Sequence, residues 1–169
     1  MKILLDENGI QRSITRISYE IIERNKTVDD IVLVGIKSRG DILAERIKQK
    51  LMELETIDVP LETIDITYYR DDIDRKNFEL DIKDIEFKTN LTGKVVVIVD
   101  DVLYTGRTIR AGLDAILTKS RPAKIQLACL IDRGHRELPI RADFIGKNIP
   151  TSHSENIDVY LKELGGKEE

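Results

Sequence analysis

The chain is poor in cysteine, poor in histidine and without a long apolar run, and each scarcity closes a class of function. One cysteine in 169 residues permits no disulfide framework. That residue, Cys129, lies in Leu127-Ala128-Cys129-Leu130-Ile131, the setting of a buried strand rather than of a reactive thiol. The two histidines, His135 and His153, stand at no metal-ligand spacing to each other or to Cys129, so no structural zinc site is expected. No apolar stretch approaches the roughly 18 residues of a membrane span. Met1-Lys2-Ile3-Leu4-Leu5-Asp6 meets an acid too soon for a signal peptide, so a cytoplasmic protein without membrane association is expected. Charge of one sign is also lacking: 27 Lys plus Arg against 31 Asp plus Glu leave −4, which argues against a wholly basic, histone-like binder. Neither a repeat nor a Gly/Ser/Pro-rich linker interrupts the chain, and residues 1–169 are expected to form a single domain.

What is present is enough apolar residue, 41%, for a sizeable core. Ile10, Ile14, Ile17 and Ile21 recur at helical spacing over about residues 7–25, with Asp6 as N-cap. Arg12, Thr15, Arg16 and Tyr19 project from the opposite face, roughly 180° away. Ile31 to Ile36 then predicts a strand, Lys37-Ser38-Arg39-Gly40 a loop, and the stretch with Ile42, Leu43, Ile47, Leu51 and Leu54 inward a helix. Ile64, Ile66 and Tyr68 alternate with Thr63, Asp65 and Thr67 as an edge strand, before a charged segment with few core anchors from Arg70 to about Lys94. Val95 to Val99 predicts a strand ending at Asp100-Asp101, and Gly106 to about Lys119 a helix through Ile109, Leu113, Ile116 and Leu117. Ile125 to Ile131, Asp143 to Ile145 and Ile157 to Leu161 are expected as further strands. Continuous apolar strands alternating with amphipathic helices define an α/β fold with a largely parallel sheet covered on both faces. Ligands bind such sheets at the carboxyl ends of strands, where both unusual loops, Lys37 to Gly40 and Asp100 to Thr108, fall.

The second loop has the parts of a phosphate cradle: a glycine, two hydroxyls, a guanidinium and the N–H groups of a starting helix in Thr105-Gly106-Arg107-Thr108. Two adjacent carboxylates beside it can accept hydrogen bonds from vicinal hydroxyls, as a ribose presents. A ribose 5-phosphate satisfies both halves. The Gly-Lys-Ser/Thr ending of a Walker loop and the three glycines of a dinucleotide fingerprint are both missing. For an isolated pair of acids, helix capping at a solvated strand end would be the simpler account.

The whole string Val99-Asp100-Asp101-Val102-Leu103-Tyr104-Thr105-Gly106-Arg107-Thr108 resembles the signature of the type I phosphoribosyltransferase family. That resemblance implies a parallel sheet flanked by helices, a small hood over about residues 143–158 and a flexible lid over about 69–93. It implies that Asp100 and Asp101 hold the ribose hydroxyls of phosphoribosyl pyrophosphate, that Tyr104 to Thr108 bind its 5-phosphate, and that Lys37, Ser38, Arg39 and Gly40 form the pyrophosphate loop. Tyr69-Arg70-Asp71-Asp72 resembles the lid, with Arg70 joining the catalytic set. Asp132 and Arg133 would lie near the hood's edge and Ile157 within it. Mg²⁺ would be held mainly by phosphoribosyl pyrophosphate and water rather than by a protein cage. No general base is identified.

With Ile131 to Asp143 and Ile145 to Ser152 included, the chain is similar, from about Leu5 to Leu161, to the bacterial branch of that family that attenuates pyrimidine operons. Purine-salvage relatives usually carry an aspartate at the position of Tyr104, so a pyrimidine base is implied: uracil and phosphoribosyl pyrophosphate giving UMP and pyrophosphate. A second function is implied as well, uridine-nucleotide-dependent binding of pyr leader mRNA by a homodimer that can pair into a homotetramer. The basic residues Arg12, Arg16, Arg24, Lys37, Arg136, Arg141 and Lys147 are candidates for RNA contacts, joined by Thr15 and Tyr19. Some members carry histidine where Tyr19 stands; tyrosine can stack on a base or donate its hydroxyl. Two simpler accounts stand beside this one. Arg16 can pair locally with Glu20 or Glu23, and the protein can be a uracil phosphoribosyltransferase that binds no RNA.

Overall fold

The computed structural model describes residues 2–66 and 85–165. Helix α1 (Glu7–Arg24) is followed by a 3₁₀ turn (Val28–Asp30), strand β1 (Ile31–Lys37), helix α2 (Gly40–Glu55) and strand β2 (Leu61–Asp65). Strand β3 (Val95–Leu103), helix α3 (Arg107–Lys119), strands β4 (Lys124–Asp132) and β5 (Phe144–Asn148) and a 3₁₀ turn (Lys162–Leu164) complete the described elements. The five strands make one parallel sheet in the order β2-β1-β3-β4-β5. From β1 the chain moves outward to β2; from β3 it moves the other way to β4 and β5. The strand order therefore reverses between β1 and β3, and the loops leaving those two strands open a crevice at their carboxyl ends.

Successive residues of each strand serve opposite faces. Leu33, Val97 and Leu130 pack under α1 and α2, with Ile10, Ile14, Ile17, Ile21, Leu43, Ile47 and Leu51. Val32, Val34, Val96, Ile98 and Cys129 pack on the other side with Ile109, Ala115 and Ile116 of α3. Burial on both faces explains why these strands are continuous apolar runs rather than alternating ones. Each fully buried isoleucine of the α1 stripe contributes roughly 1.5–3 kcal/mol of transfer free energy. Asp6 begins that helix as expected: its Oδ1 accepts from the Gly9 amide at 2.7 Å.

Several expectations require correction. β3 does not end at Asp100-Asp101 but carries both acids inside the strand, paired to β4 through Leu103 and Asp132. Leu54 is only half-buried and Leu117 is exposed, whereas Ala44 in α2 and Ala111 and Ala115 in α3 are buried; Ile42, half-buried, packs against the α1/α2 cluster. Residues 157–161 form no strand; Val159 and Leu161 instead bury themselves in the α1/α2 cluster. Within the stretch expected as hood, Phe144–Asn148 forms the fifth strand of the main sheet. The charged segment after Arg70 has more anchors than expected. Leu91 is buried, Ile85 and Phe87 pack beside it, and the Thr89 amide donates to Glu62 Oε1 at 2.6 Å. Tyr69, Arg70, Asp71 and Asp72 lie outside the described residues.

Candidate active site

Two backbone turns build the crevice. After β1, Lys37 and Ser38 are exposed, the bond between them is cis, and Arg39 adopts φ 76° as it enters α2. Gly40 rests on β3: an added Cβ would lie 2.5 Å from the Val99 carbonyl oxygen, so only glycine permits the pyrophosphate-type loop to sit this close to the acids. After β3, Gly106 takes φ 93° as the N-cap of α3. The Thr105 carbonyl accepts from the Glu137 amide at 2.9 Å, and Arg107 Nε donates to Glu137 Oε2 at 3.1 Å, so the 104–108 turn is braced by the 137–140 segment.

Neither α2 nor α3 has a side-chain cap at its N-terminus. The first amide of each is met locally, Gly40 N–H by the Ser38 carbonyl at 2.8 Å and Arg107 N–H by Thr105 Oγ1 at 3.3 Å, while the following N–H groups and the positive ends of both dipoles face the crevice beside the acids. Asp100 is 6% exposed, and its Oδ1 accepts from the Asp101 amide at 2.8 Å. Asp101 Oδ1 accepts in the same way from the Val102 amide at 2.8 Å, while its Oδ2 lies 3.9 Å from Arg39 Nη1. Each carboxylate is thus aimed by the next residue's backbone. Arg39 Nε and Asp41 Oδ1, at the start of α2, are buried without a hydrogen-bond partner. Cys129, beside Asp100 in the β3–β4 register, has its thiol pushed well up by burial, then by the negative charges of Asp100, Asp132 and Asp101, which keeps it protonated and inert.

At the end of β4, Asp132 is buried, its Oδ1 accepting from the Gly134 amide at 3.0 Å and its Oδ2 lying 3.9 Å from Arg136 Nη1. Arg133 is buried too, with its guanidinium 4.1 Å from the centre of the Tyr104 ring. His135 is a loop residue at φ 64°; its Nε2 donates to the Thr151 carbonyl and its ring lies 4.0 Å from that of His153, tilted by 46°. Ile157 is half-buried against the α1/α2 cluster. Among the described residues, no group of three or more His, Cys, Asp or Glu is placed to hold a metal ion.

The candidate RNA residues divide. Arg12, Thr15, Arg16 and Tyr19 line one shallow concavity of about 470 Å³ on α1, shared with Gln11, Glu20 and Glu23. Tyr19 is 51% exposed there. Arg16, however, donates to the carbonyls of Ile145, at 3.1 Å, and Gly146 on the edge strand β5, and lies 3.7 Å from Glu20. Arg24 lies 3.5 Å from Asp143, and Lys147 Nζ donates to the Leu4 carbonyl at 3.2 Å. Lys37 and Arg136 sit at the strand ends instead, and Arg141 is exposed ahead of β5. The residues that sequence reasoning missed are Thr151, Ser152 and Glu155, which receive the Arg133 guanidinium. No short-range pattern marks a contact spanning 18 residues or more.

A phosphoribosyl transferase domain model matches residues 1–163. Among solved structures, the hypoxanthine phosphoribosyltransferase of Trypanosoma cruzi in complex with IMP superposes with a TM-score of 0.70 at 22% identity, over 89% of this chain and 77% of that one. A hypoxanthine-guanine phosphoribosyltransferase from Bacillus anthracis gives 0.69 at 21% identity, over 89% and 84%. A switch-point crevice with two open helix starts and a pair of acids is thus carried on a phosphoribosyltransferase fold. The chain is 93% identical over 169 residues to the Bifunctional protein PyrR of Fusobacterium nucleatum subsp. nucleatum, covering 100% of this chain and 96% of that protein. It is 56% identical over 163 residues to the protein of the same name from Staphylococcus saprophyticus, covering 96% and 93%. The chain belongs to the phosphoribosyltransferase family and, within it, to the PyrR family.

Among the described residues, no helix is long and apolar enough to cross a membrane.

Proposed function

We propose that the protein is a uridine-nucleotide-dependent, pyr leader mRNA-binding attenuation regulator that also converts uracil and phosphoribosyl pyrophosphate to UMP and pyrophosphate. The observation that carries the enzymatic half is the pair of uncapped helix starts on either side of Asp100 and Asp101. The α3 start and the Tyr104 to Thr108 turn take the 5-phosphate, and Asp100 and Asp101 accept from the ribose 2′- and 3′-hydroxyls. The α2 start, with Lys37, Ser38, Arg39 and Gly40, takes the diphosphate. Asp132 and Ile157 belong to the base end, and Arg70 to the segment after β2.

In the reaction, the bond between ribose C1 and the diphosphate oxygen breaks through an oxocarbenium-like state, the electron pair leaving with pyrophosphate, and N1 of uracil forms the new bond to C1 as its proton passes to water or to the departing pyrophosphate. Arg39 and the α2 amides neutralise charge building on the departing pyrophosphate; each such preorganised donor is worth about 10²–10³ in rate. Holding both reactants in line supplies up to about 7–11 kcal/mol more. Mg²⁺, a hard oxygen-bound ion, would be held mainly by the diphosphate and water and would screen the leaving charge. At Tyr104 an aromatic ring lies under Arg133, where purine relatives usually have an aspartate, so uracil is selected over hypoxanthine and guanine. Each polar group on a purine left without a partner costs about 1–3 kcal/mol.

The RNA half rests on family membership and on the α1 concavity, where Arg12 and Tyr19 supply a cation and a stacking ring. We place this protein in the cytoplasm as a homodimer able to pair into a tetramer. One observation favours the reading without RNA: Arg16 is engaged with β5 and Glu20, and Glu20 and Glu23 bring negative charge into the same concavity. A single set of assays separates the two. UMP formation from uracil with and without Mg²⁺ tests the enzyme, and pyr leader RNA binding with and without UMP tests the regulator. Mg²⁺-dependent turnover and salt-sensitive RNA binding tightened by UMP are expected. Turnover with no RNA binding under any nucleotide condition would establish a salvage enzyme alone, and equal turnover of a purine base would remove the base assignment.

A further inference from the structure

The sequence casts Arg133 as a substrate contact, but its guanidinium is committed inside the protein. Nε donates to Thr151 Oγ1 at 3.0 Å, and Nη2 donates to the carbonyls of Ser152, at 3.2 Å, and Glu155. The same group covers the Tyr104 ring at 4.1 Å, and the residue is 6% exposed. Its backbone is held as well: the Arg133 amide donates to the Leu103 carbonyl at 3.1 Å, and Thr151 Oγ1 returns a longer bond to the Arg133 carbonyl at 3.4 Å.

Two segments converge on this one side chain. The 151–155 turn lies between β5 and Ile157 at the base end, and Tyr104 opens the turn that holds the 5-phosphate end. The Ser152 amide also donates to Glu155 Oε2 at 2.7 Å, so the turn that Arg133 grips is internally closed. A buried guanidinium with several neutral acceptors and a ring face is held by geometry, and its planar fork cannot be reproduced by lysine's single ammonium.

We infer that Arg133 is a positioning residue that joins the 151–155 turn to the Tyr104 phosphate turn as one unit, fixing where the base sits relative to the ribose 5-phosphate. This rests on the reading of the crevice as a uracil phosphoribosyltransferase site. Without Arg133 the phosphoribosyl end stays bound by the α2 and α3 starts and by Asp100 and Asp101. The base end loses its registration.

The test uses the full chain and begins with wild type, because absence of UMP formation there would remove the enzymatic reading itself, whatever Arg133 does. Uracil and phosphoribosyl pyrophosphate are then varied separately for Arg133→Met, Arg133→Lys, Thr151→Val and the Arg133→Met/Thr151→Val double variant. Arg133→Met should raise KM for uracil about tenfold and lower kcat, with KM for phosphoribosyl pyrophosphate within about threefold of wild type. Arg133→Lys should recover part of the loss, and Thr151→Val should raise KM for uracil by a smaller factor. The double variant should be no worse than Arg133→Met, because both changes break one connection. A rise in KM for phosphoribosyl pyrophosphate alone would make Arg133 a direct ligand of that substrate and overturn the proposal, as would fully additive effects of the two changes or unchanged kinetics. If Arg133→Met does not fold, Arg133→Lys and Thr151→Val decide by the same split: uracil KM moving alone supports the proposal, and any other pattern overturns it.

Discussion

The three α-helices among the described residues begin in two different ways. α1 starts with Asp6, whose carboxylate folds back onto the Gly9 amide, so the first turn is satisfied by its own side chain. α2 and α3 start with Arg39 and Gly106, both at positive φ and neither offering a side-chain cap. α1 starts beside the end of β5, where Lys147 Nζ donates to the Leu4 carbonyl, whereas the other two start at the point where the strand order reverses. Where a helix start is needed only for the fold, the chain supplies its acceptor locally. Where it lacks an N-cap side chain beside two aimed carboxylates, the acceptor is expected from a ligand, and phosphate oxygens are of the chemistry that fits.

The contrast breaks most sharply at the acids between the two open starts. Replacing Asp100 and Asp101 by asparagine together should lower UMP formation by about 10²-fold or more, with circular dichroism unchanged, since asparagine retains an acceptor for the Asp101 and Val102 amides. Wild-type kinetics in that variant would remove the ribose assignment. Next in size, Gly106→Ala forces a Cβ into φ 93°, costing about 1–2 kcal/mol, and turns the α3 amides away from their anion. KM for phosphoribosyl pyrophosphate should rise several-fold; an unchanged KM would show that the α3 start is not a phosphate site. Asp6→Ala should lower stability by about 1 kcal/mol in urea unfolding and leave turnover within about twofold of wild type. Loss of turnover there equal to that of Gly106→Ala would erase the distinction between closed and open starts.

The smallest effect concerns a partly exposed ion pair on the far end of the chain. Arg46 donates to Glu163 Oε1 at 2.9 Å and Oε2 at 2.7 Å, tying the final 3₁₀ turn to α2 and holding the Glu163 carboxyl below its ordinary value through that hydrogen bond. A depressed folded-state value means that the contribution is present above the unfolded value, about 4.3, and is lost as pH falls through the folded one. Glu163→Gln should therefore be slightly less stable than wild type at pH 7 and equal to it at the acid end of that window, by thermal unfolding at both. The pair is partly exposed, so the difference is small.

How much of this was legible beforehand differs from residue to residue. The α1 stripe, the Asp6 cap, the buried strands and the two crevice loops follow from local chemistry: apolar period, capping side chains, and glycine where backbone must turn or approach. Leu117 and Leu54 misled because periodicity marks apolar residues but not which of them the fold will cover, and Ala44, Ala111 and Ala115 are buried instead. Residues 157–161 have a strand's composition, yet the core position open to them lies beside α1 and α2 rather than at a sheet edge. The strand expected at Asp143 to Ile145 is found as Phe144–Asn148, but its pairing with β4 is not marked by any local pattern.

The sequence by itself determined the α/β class, the crevice loops and the acids at their junction, because each depends on neighbours within about one helical turn or strand. Only the tertiary structure decided that the order reverses between β1 and β3, that Gly40 must touch Val99, that Arg16 serves the carbonyls of β5, and that Arg133 faces inward. The physical reason is one of range. A guanidinium reaches any acceptor the fold brings within about 3 Å, and which acceptor that is, a substrate phosphate or a carbonyl many residues along the chain, is settled by packing rather than by spacing.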